Sequence, residues 1–75
     1  MITQRQIRMA MACLDLNLTD AAAGLKIGRA TLQRVARDPE GLAKAEKLTL
    51  ERIRDGFELL GVEFGEDESV RPKAR

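Results

Sequence analysis

The sequence predicts an all-α fold, a bundle of about five short helices with a small C-terminal strand or hairpin. Three observations predict it. Apolar residues recur at spacings of three and four in successive stretches. Residues of the N-cap type (Thr3, Asn17, Asp38, Thr49) stand ahead of those stretches. Period-two alternation appears late, at Val62-Glu63-Phe64. A chain of 75 residues has one core to build, so residues 1–75 are expected to form a single domain. Such a domain buries only ~60% of its unfolded surface, and association with a second copy would help it.

The first helix starts after Thr3, which can cap it, with Gln6 reaching back to complete a capping box and Ile2 stapled onto Ile7. Ile7, Ala10, Met11 and Leu14 give it one buried stripe up to about Asp15, and Cys13 is expected to be buried in the same run. Asn17 caps a second helix, where Leu18, Ala21, Ala22 and Leu25 repeat the spacing and the alanines let another helix approach closely. Lys26-Ile27-Gly28 interrupts the pattern. A third helix follows from Arg29, with Leu32, Val35 and Ala36 inward and Arg29, Ala30, Gln33, Arg34 and Arg37 outward.

Asp38-Pro39 ends that helix and can begin another over Glu40 to Lys47, because aspartate caps well and proline is tolerated at the first helical position. Thr49 is the expected cap of the last helix, which Leu50, Ile53, Phe57 and Leu60 mark out and Gly61 ends. Gly56 inside it costs ~1 kcal/mol relative to Ala, a cost that close approach of another helix would explain. Val62-Glu63-Phe64 and Val70-Arg71, joined by the turn residues Gly65 to Ser69, predict a hairpin or a pairing between two subunits. Pro72 to Arg75 is expected to fray.

Composition excludes several classes. There is no His and Cys13 is the one cysteine, so no metal set, cofactor ligand set or internal disulfide is expected. No nucleophile and base stand in a recognisable arrangement, which argues against an enzyme. The opening residues Met1 to Ala12 lack a continuous apolar run, and nowhere do about 18 apolar residues follow one another. The expected setting is therefore cytoplasmic, with no membrane contact. The formal net charge is +1, but its distribution is uneven. Up to Arg37, the basic Arg5, Arg8, Lys26, Arg29, Arg34 and Arg37 face only Asp15 and Asp20; beyond it acids outnumber bases. An anion-binding N-terminal part and a C-terminal part with another task follow from that asymmetry. Glu51 with Arg54, and Arg54 with Glu58, read as helical-spacing ion pairs, and Asp67 and Glu68 as solvating charges in a turn.

Residues 17–37 contain two short helices separated by a three-residue break, the second with arginines and a glutamine outward. Residues 28–37 hold no acid. That is the make-up of a helix-turn-helix unit, whose second helix must be slim, polar outside and free of carboxylates to enter a groove lined by phosphates.

The stretch Leu16-Asn17-Leu18-Thr19-Asp20-Ala21-Ala22-Ala23-Gly24-Leu25-Lys26-Ile27-Gly28-Arg29-Ala30-Thr31-Leu32-Gln33-Arg34-Val35 resembles, without a gap, the XRE or lambda-repressor-like (Cro-type) helix-turn-helix family. Ala22 falls at the family's small residue between the helices, Ile27 at its turn aliphatic, and Leu32 and Val35 at its buried recognition-helix positions. Leu50-Glu51-Arg52-Ile53-Arg54 and Gly61-Val62-Glu63-Phe64 are similar to the tail of short bacterial members. The chain departs from the pattern at Lys26, where a turn glycine is usual. The turn is then either tighter or holds Lys26 in a left-handed conformation. Leu18 stands in place of a phosphate-contacting glutamine, and Gly28 in place of a serine cap.

The resemblance implies a sequence-specific double-stranded DNA-binding protein, a small homodimeric transcriptional regulator and most simply a repressor. Its operator would have two-fold symmetry, with half-sites ~34 Å apart. Arg29, Ala30, Gln33 and Arg34 are the implied base contacts, since Arg suits guanine, Gln suits adenine and Ala a thymine methyl. Asn17, Thr19, Lys26, Thr31, Arg37 and Lys44 are the implied phosphate contacts. The C-terminal part, residues 49–71, is the expected dimerisation part, through Phe57, Leu60, Val62 and Phe64. The alternative, suggested by the acidic C-terminal half, is a protein-interaction or antitoxin-type module on the same scaffold.

Overall fold

The computed structural model describes residues 2–73. Along these run α1 (Gln4–Cys13), α2 (Leu18–Leu25), α3 (Arg29–Arg37), α4 (Pro39–Lys44), α5 (Lys47–Leu60), β1 (Val62–Phe64) and β2 (Val70–Pro72). The molecule is a small helical bundle with a two-stranded antiparallel hairpin at its end.

Local chemistry sets most boundaries where the sequence puts them. The Gln6 amide donates to Thr3 Oγ1 at 3.2 Å, and the Thr3 amide donates to Gln6 Oε1 at 3.0 Å, which completes the capping box. The Asp20 amide donates to Asn17 Oδ1 at 2.7 Å, and the Glu40 amide to Asp38 Oδ1 at 3.0 Å, so Asn17 and Asp38 cap α2 and α4. Helices α1 and α2 end by the same device, a Schellman turn. Leu16 N–H reaches back to the Met11 carbonyl at 2.9 Å, and Ile27 N–H to the Ala22 carbonyl at 3.1 Å. The residues at the left-handed positions are Asp15 (φ 54) and Lys26 (φ 58), where glycine is usual. Of the two forms open to the turn, it takes the left-handed one.

Two expectations at element ends fail. Helix α1 stops at Cys13, and that thiol is exposed, because it falls beyond the Ala10 edge of the inward stripe. Helix α5 begins at Lys47, not after Thr49. Glu46 precedes it without a side-chain cap, its carbonyl accepts from the Leu50 amide at 3.1 Å, and Thr49 lies half-buried in the first turn. A threonine cap contributes only about 1 kcal/mol, too little to shorten a helix that brings Leu50 and Ile53 into the core.

The core draws on every longer element: Ile7 and Ala10 of α1, Ala21, Ala22 and Leu25 of α2, Leu32, Val35 and Ala36 of α3, Leu50, Ile53 and Phe57 of α5, and Val62 of β1, with Ile2. Phe57, Ile7, Leu32, Ile53 and Val62 are its largest fully buried side chains. Gly56 lets α5 lie against α2, since a Cβ there would collide with Leu25 Cδ2.

Strands β1 and β2 pair antiparallel within one chain, Val62 opposite Pro72 and Phe64 opposite Val70, which settles the hairpin against an intersubunit pairing of these strands. Pro72 does not fray: it lies in β2, and the Lys73 amide donates to the Gly61 carbonyl at 2.7 Å. Ala74 and Arg75, the rest of the stretch expected to fray, lie outside the described residues. No helix among the described residues is long and apolar enough to cross a membrane.

The packing corrects the expected dimer contact. Phe57 and Val62 are 0% exposed within one chain, and Phe64 is half-buried with its ring 6.3 Å from that of Phe57 in an edge-to-face contact. Phe57 and Val62 are spent on the monomer's own core, with Phe64 packed against it, because β1 folds back over α5 and needs apolar side chains beneath it. Of the four, Leu60 is exposed and Phe64 keeps part of its surface, while Phe57 and Val62 have none to offer a partner.

Candidate nucleic-acid interface

Helix α3 is nine residues long, about 14 Å at 1.5 Å per residue. Its inward side is sealed by Leu32, Val35 and Ala36. Its outward side carries Ala30, Gln33, Arg34 and Arg37, spaced i, i+3, i+4 and i+7, with Arg29 at one edge, and all five are exposed. Ala30, Gln33, Arg34, Arg37 and Asp38 border a shallow depression of about 330 Å³.

Several contacts fix this helix from outside its own sequence. Schellman closure after α2 sets the direction in which the chain enters α3, and Ile27 packs against the core from within that turn. Gln4 Nε2 donates to the Val35 carbonyl at 3.1 Å, so the start of α1 ties down the last turn of α3. Gly41 of α4 is buried against Arg34, where an added Cβ would collide with the Arg34 carbonyl and Cγ. The Arg34 stem therefore runs along α4 before its guanidinium reaches solvent.

Electrostatically the face is unneutralised. Among the described residues the ion pairs are Lys44 with Glu40 at 3.9 Å and Arg54 with Glu58 at 3.0 Å. Among the described residues, none of Arg29, Arg34 and Arg37 has an acid within bonding distance. The expected Glu51–Arg54 pair does not form; Arg54 turns to Glu58 instead. Asp38 and Glu40 stand at the α4 end of the face and bound it with negative charge.

The remaining residues expected at phosphates are placed unequally. Asn17, Thr19 and Lys26 are exposed at the two ends of α2. The Asn17 side-chain oxygen is occupied by the Asp20 amide, which leaves its NH₂ group to donate. Thr31 is half-buried and faces the grooves toward α4 and α5 instead of joining the outer row. Lys44 lies on α4 with its charge shared with Glu40. Sequence reasoning missed Gln4 and Gly41 as positioning residues. Gln4 reads as an ordinary first-turn residue, and its partner is 31 positions away; for Gly41 the only signal was an unexplained glycine in a short helix. Among the described residues no three His, Cys, Asp or Glu side chains converge as a metal site would require.

No protein-family model matches the chain, and neither a curated protein nor a solved structure matches it.

Proposed function

We propose that this chain is a lambda-repressor-like, sequence-specific DNA-binding protein that lays α3 into the major groove of a two-fold operator, as a small homodimeric transcriptional regulator of the XRE type and most simply a repressor. The reading rests on one observation: an acid-free helix holds Arg29, Arg34 and Arg37 without an acidic partner, together with Gln33, on one exposed side. Unpaired guanidinium groups on a rigid helix are what a polyanion selects, and a bidentate Arg or Gln is what a base edge selects.

In this reading Gln33 and Arg34, the central pair of the outer row, meet base edges, with Arg29 and Ala30 beside them. Arg37, Lys26, Thr19 and the Asn17 amide group hold phosphates on either side. Contacts to the backbone fix register and orientation, and the base contacts carry the sequence. Occlusion of a promoter is the simplest action of such a reader, because it requires only that the site be occupied.

The test is selection of bound duplexes from a random pool, followed by binding measurements with variants. Gln33→Ala and Arg34→Ala should each weaken the selected site by about 1–3 kcal/mol and relax preference at one base pair per half-site. Equal weakening on every duplex would overturn the assigned readout. A second reading, a protein-interaction module on the same scaffold, draws on the carboxylates of Asp38 and Glu40 beside α3 and on the exposed leucines Leu48 and Leu59 of α5. Sequence-blind binding that vanishes by ~200 mM salt would favour it.

A further inference from the structure

Helix α5 presents a second ordered face, opposite its core side. Leu50, Ile53 and Phe57 point inward, whereas Leu48, Arg52, Asp55 and Leu59, spaced by four, three and four, are all exposed. Leu59 is 87% exposed and Leu48 66%, the most exposed large apolar side chains among the described residues. Their row, with Glu51 and Gly56 beside it, borders a groove of about 610 Å³ whose other wall is Gly24, Leu25 and Lys26 at the end of α2. Arg52 and Asp55 have no ion-pair partner within the chain among the described residues.

This row is complementary to itself read backwards. In an antiparallel pairing of two α5 helices about a two-fold axis midway between Arg52 and Asp55, Leu48 of one copy meets Leu59 of the other at both ends. Between them, Arg52 meets Asp55 twice. The four-three-four spacing is that of a helix-helix seam, in which polar residues at seam positions fix register and orientation at a cost in stability, and a two-fold contact requires this self-complementarity. The opposite, parallel alignment sets Arg52 on Arg52 and Asp55 on Asp55.

We propose that a second copy of this chain occupies this face, through an antiparallel α5–α5 contact with Leu48–Leu59 and Arg52–Asp55 as its reciprocal pairs. It supplies the partner surface that Phe57 and Val62, buried in the monomer, cannot. The inference names the partner in the dimeric part of the proposed function and rests on that part alone; DNA has no role in it. A single helix pair about 20 Å long buries less than the ~1,200 Å² of a stable interface, so the dimer dissociates on dilution.

The experiment is a charge exchange followed by sedimentation velocity and native mass spectrometry, without DNA. The unmodified chain sediments at twice 8.3 kDa at high concentration. Arg52→Asp confronts Asp with Asp55 of its partner, Asp55→Arg confronts Arg with Arg52, and each variant alone sediments as a monomer. Mixed in equal amounts, the two restore both ion pairs and return as a heterodimer with one chain of each mass, which also shows that both are folded. A monomeric unmodified chain at every concentration, or a dimer that survives either single change, overturns the pairing. So does a mixture that stays monomeric. Binding of one half-site by monomeric Arg52→Asp, measured separately, reports on α3 whatever the outcome here.

Discussion

Helices α3 and α5 share one inner grammar and differ in the outer one. Each buries three side chains, Leu32, Val35 and Ala36 in α3, and Leu50, Ile53 and Phe57 in α5. On the far side α3 offers unpaired cations and a glutamine, while α5 offers a row of two leucines flanking one cation and one anion, with Glu51 beside it. A face of one charge sign repels its own copy and suits a polyanion; a face of balanced charge bracketed by apolar ends suits itself. The comparison teaches that the inner positions decide where a helix sits, and the outer ones decide what it meets.

The comparison breaks most severely from inside. Phe57→Ala empties a fully buried site and should cost about 3–5 kcal/mol, a large share of the stability of a domain this small. Urea unfolding should therefore show a collapsed midpoint with both outer faces lost together. A variant that kept its midpoint would contradict the burial of that ring.

A change at the turn sharpens the contrast without touching either inner row. Lys26 occupies the left-handed region at φ 58, so Lys26→Gly should raise stability by about 1 kcal/mol. At the same time it should lower the salt dependence of DNA binding by about one phosphate contact. Thermal unfolding and salt titration read the two effects apart. If the melting temperature falls, the side chain gives more to the turn than its backbone conformation costs.

The smallest effect lies outside both helices. The Ser69 hydroxyl, and with it the Ser69 amide at 3.3 Å, holds the exposed Asp67 carboxyl below its ordinary value of 3.8. A carboxyl that is depressed on folding adds stability above its unfolded value and loses it as pH falls through the folded one. Asp67→Asn should remove a slight fraction of the stability lost between neutral pH and about pH 3, visible only as a small difference in urea midpoints.

Much of this architecture was legible in the chain because it is written locally. Thr3 with Gln6, Asn17 and Asp38 are caps whose partners lie two or three residues away. The outer row of α3 follows from helical period alone. What escaped depends on partners far along the chain. Phe57 and Val62 looked available to a second subunit because nothing local shows β1 folding over α5. Gln4 carries no mark of the Val35 carbonyl, and Leu48 and Leu59 lay off the inward stripe and so attracted no attention. Thr49 misled for the opposite reason: its local capping propensity is genuine, but core placement of Leu50 outweighs it. Lys26, an unfavoured residue in a left-handed turn, was visible as a departure, and its conformation followed from the chain's need to close α2.

The ends of the described chain meet at one place. Gln6, on the first helix, donates through Nε2 to the carbonyl of Gly65 at 3.2 Å, and Val62 shares a core with Ile2 and Ile7. Two residues before Gln6 on the same helix, Gln4 holds the Val35 carbonyl of α3. A hairpin that opens therefore withdraws a tie from α1 and, through it, loosens the seat of the outer row of α3.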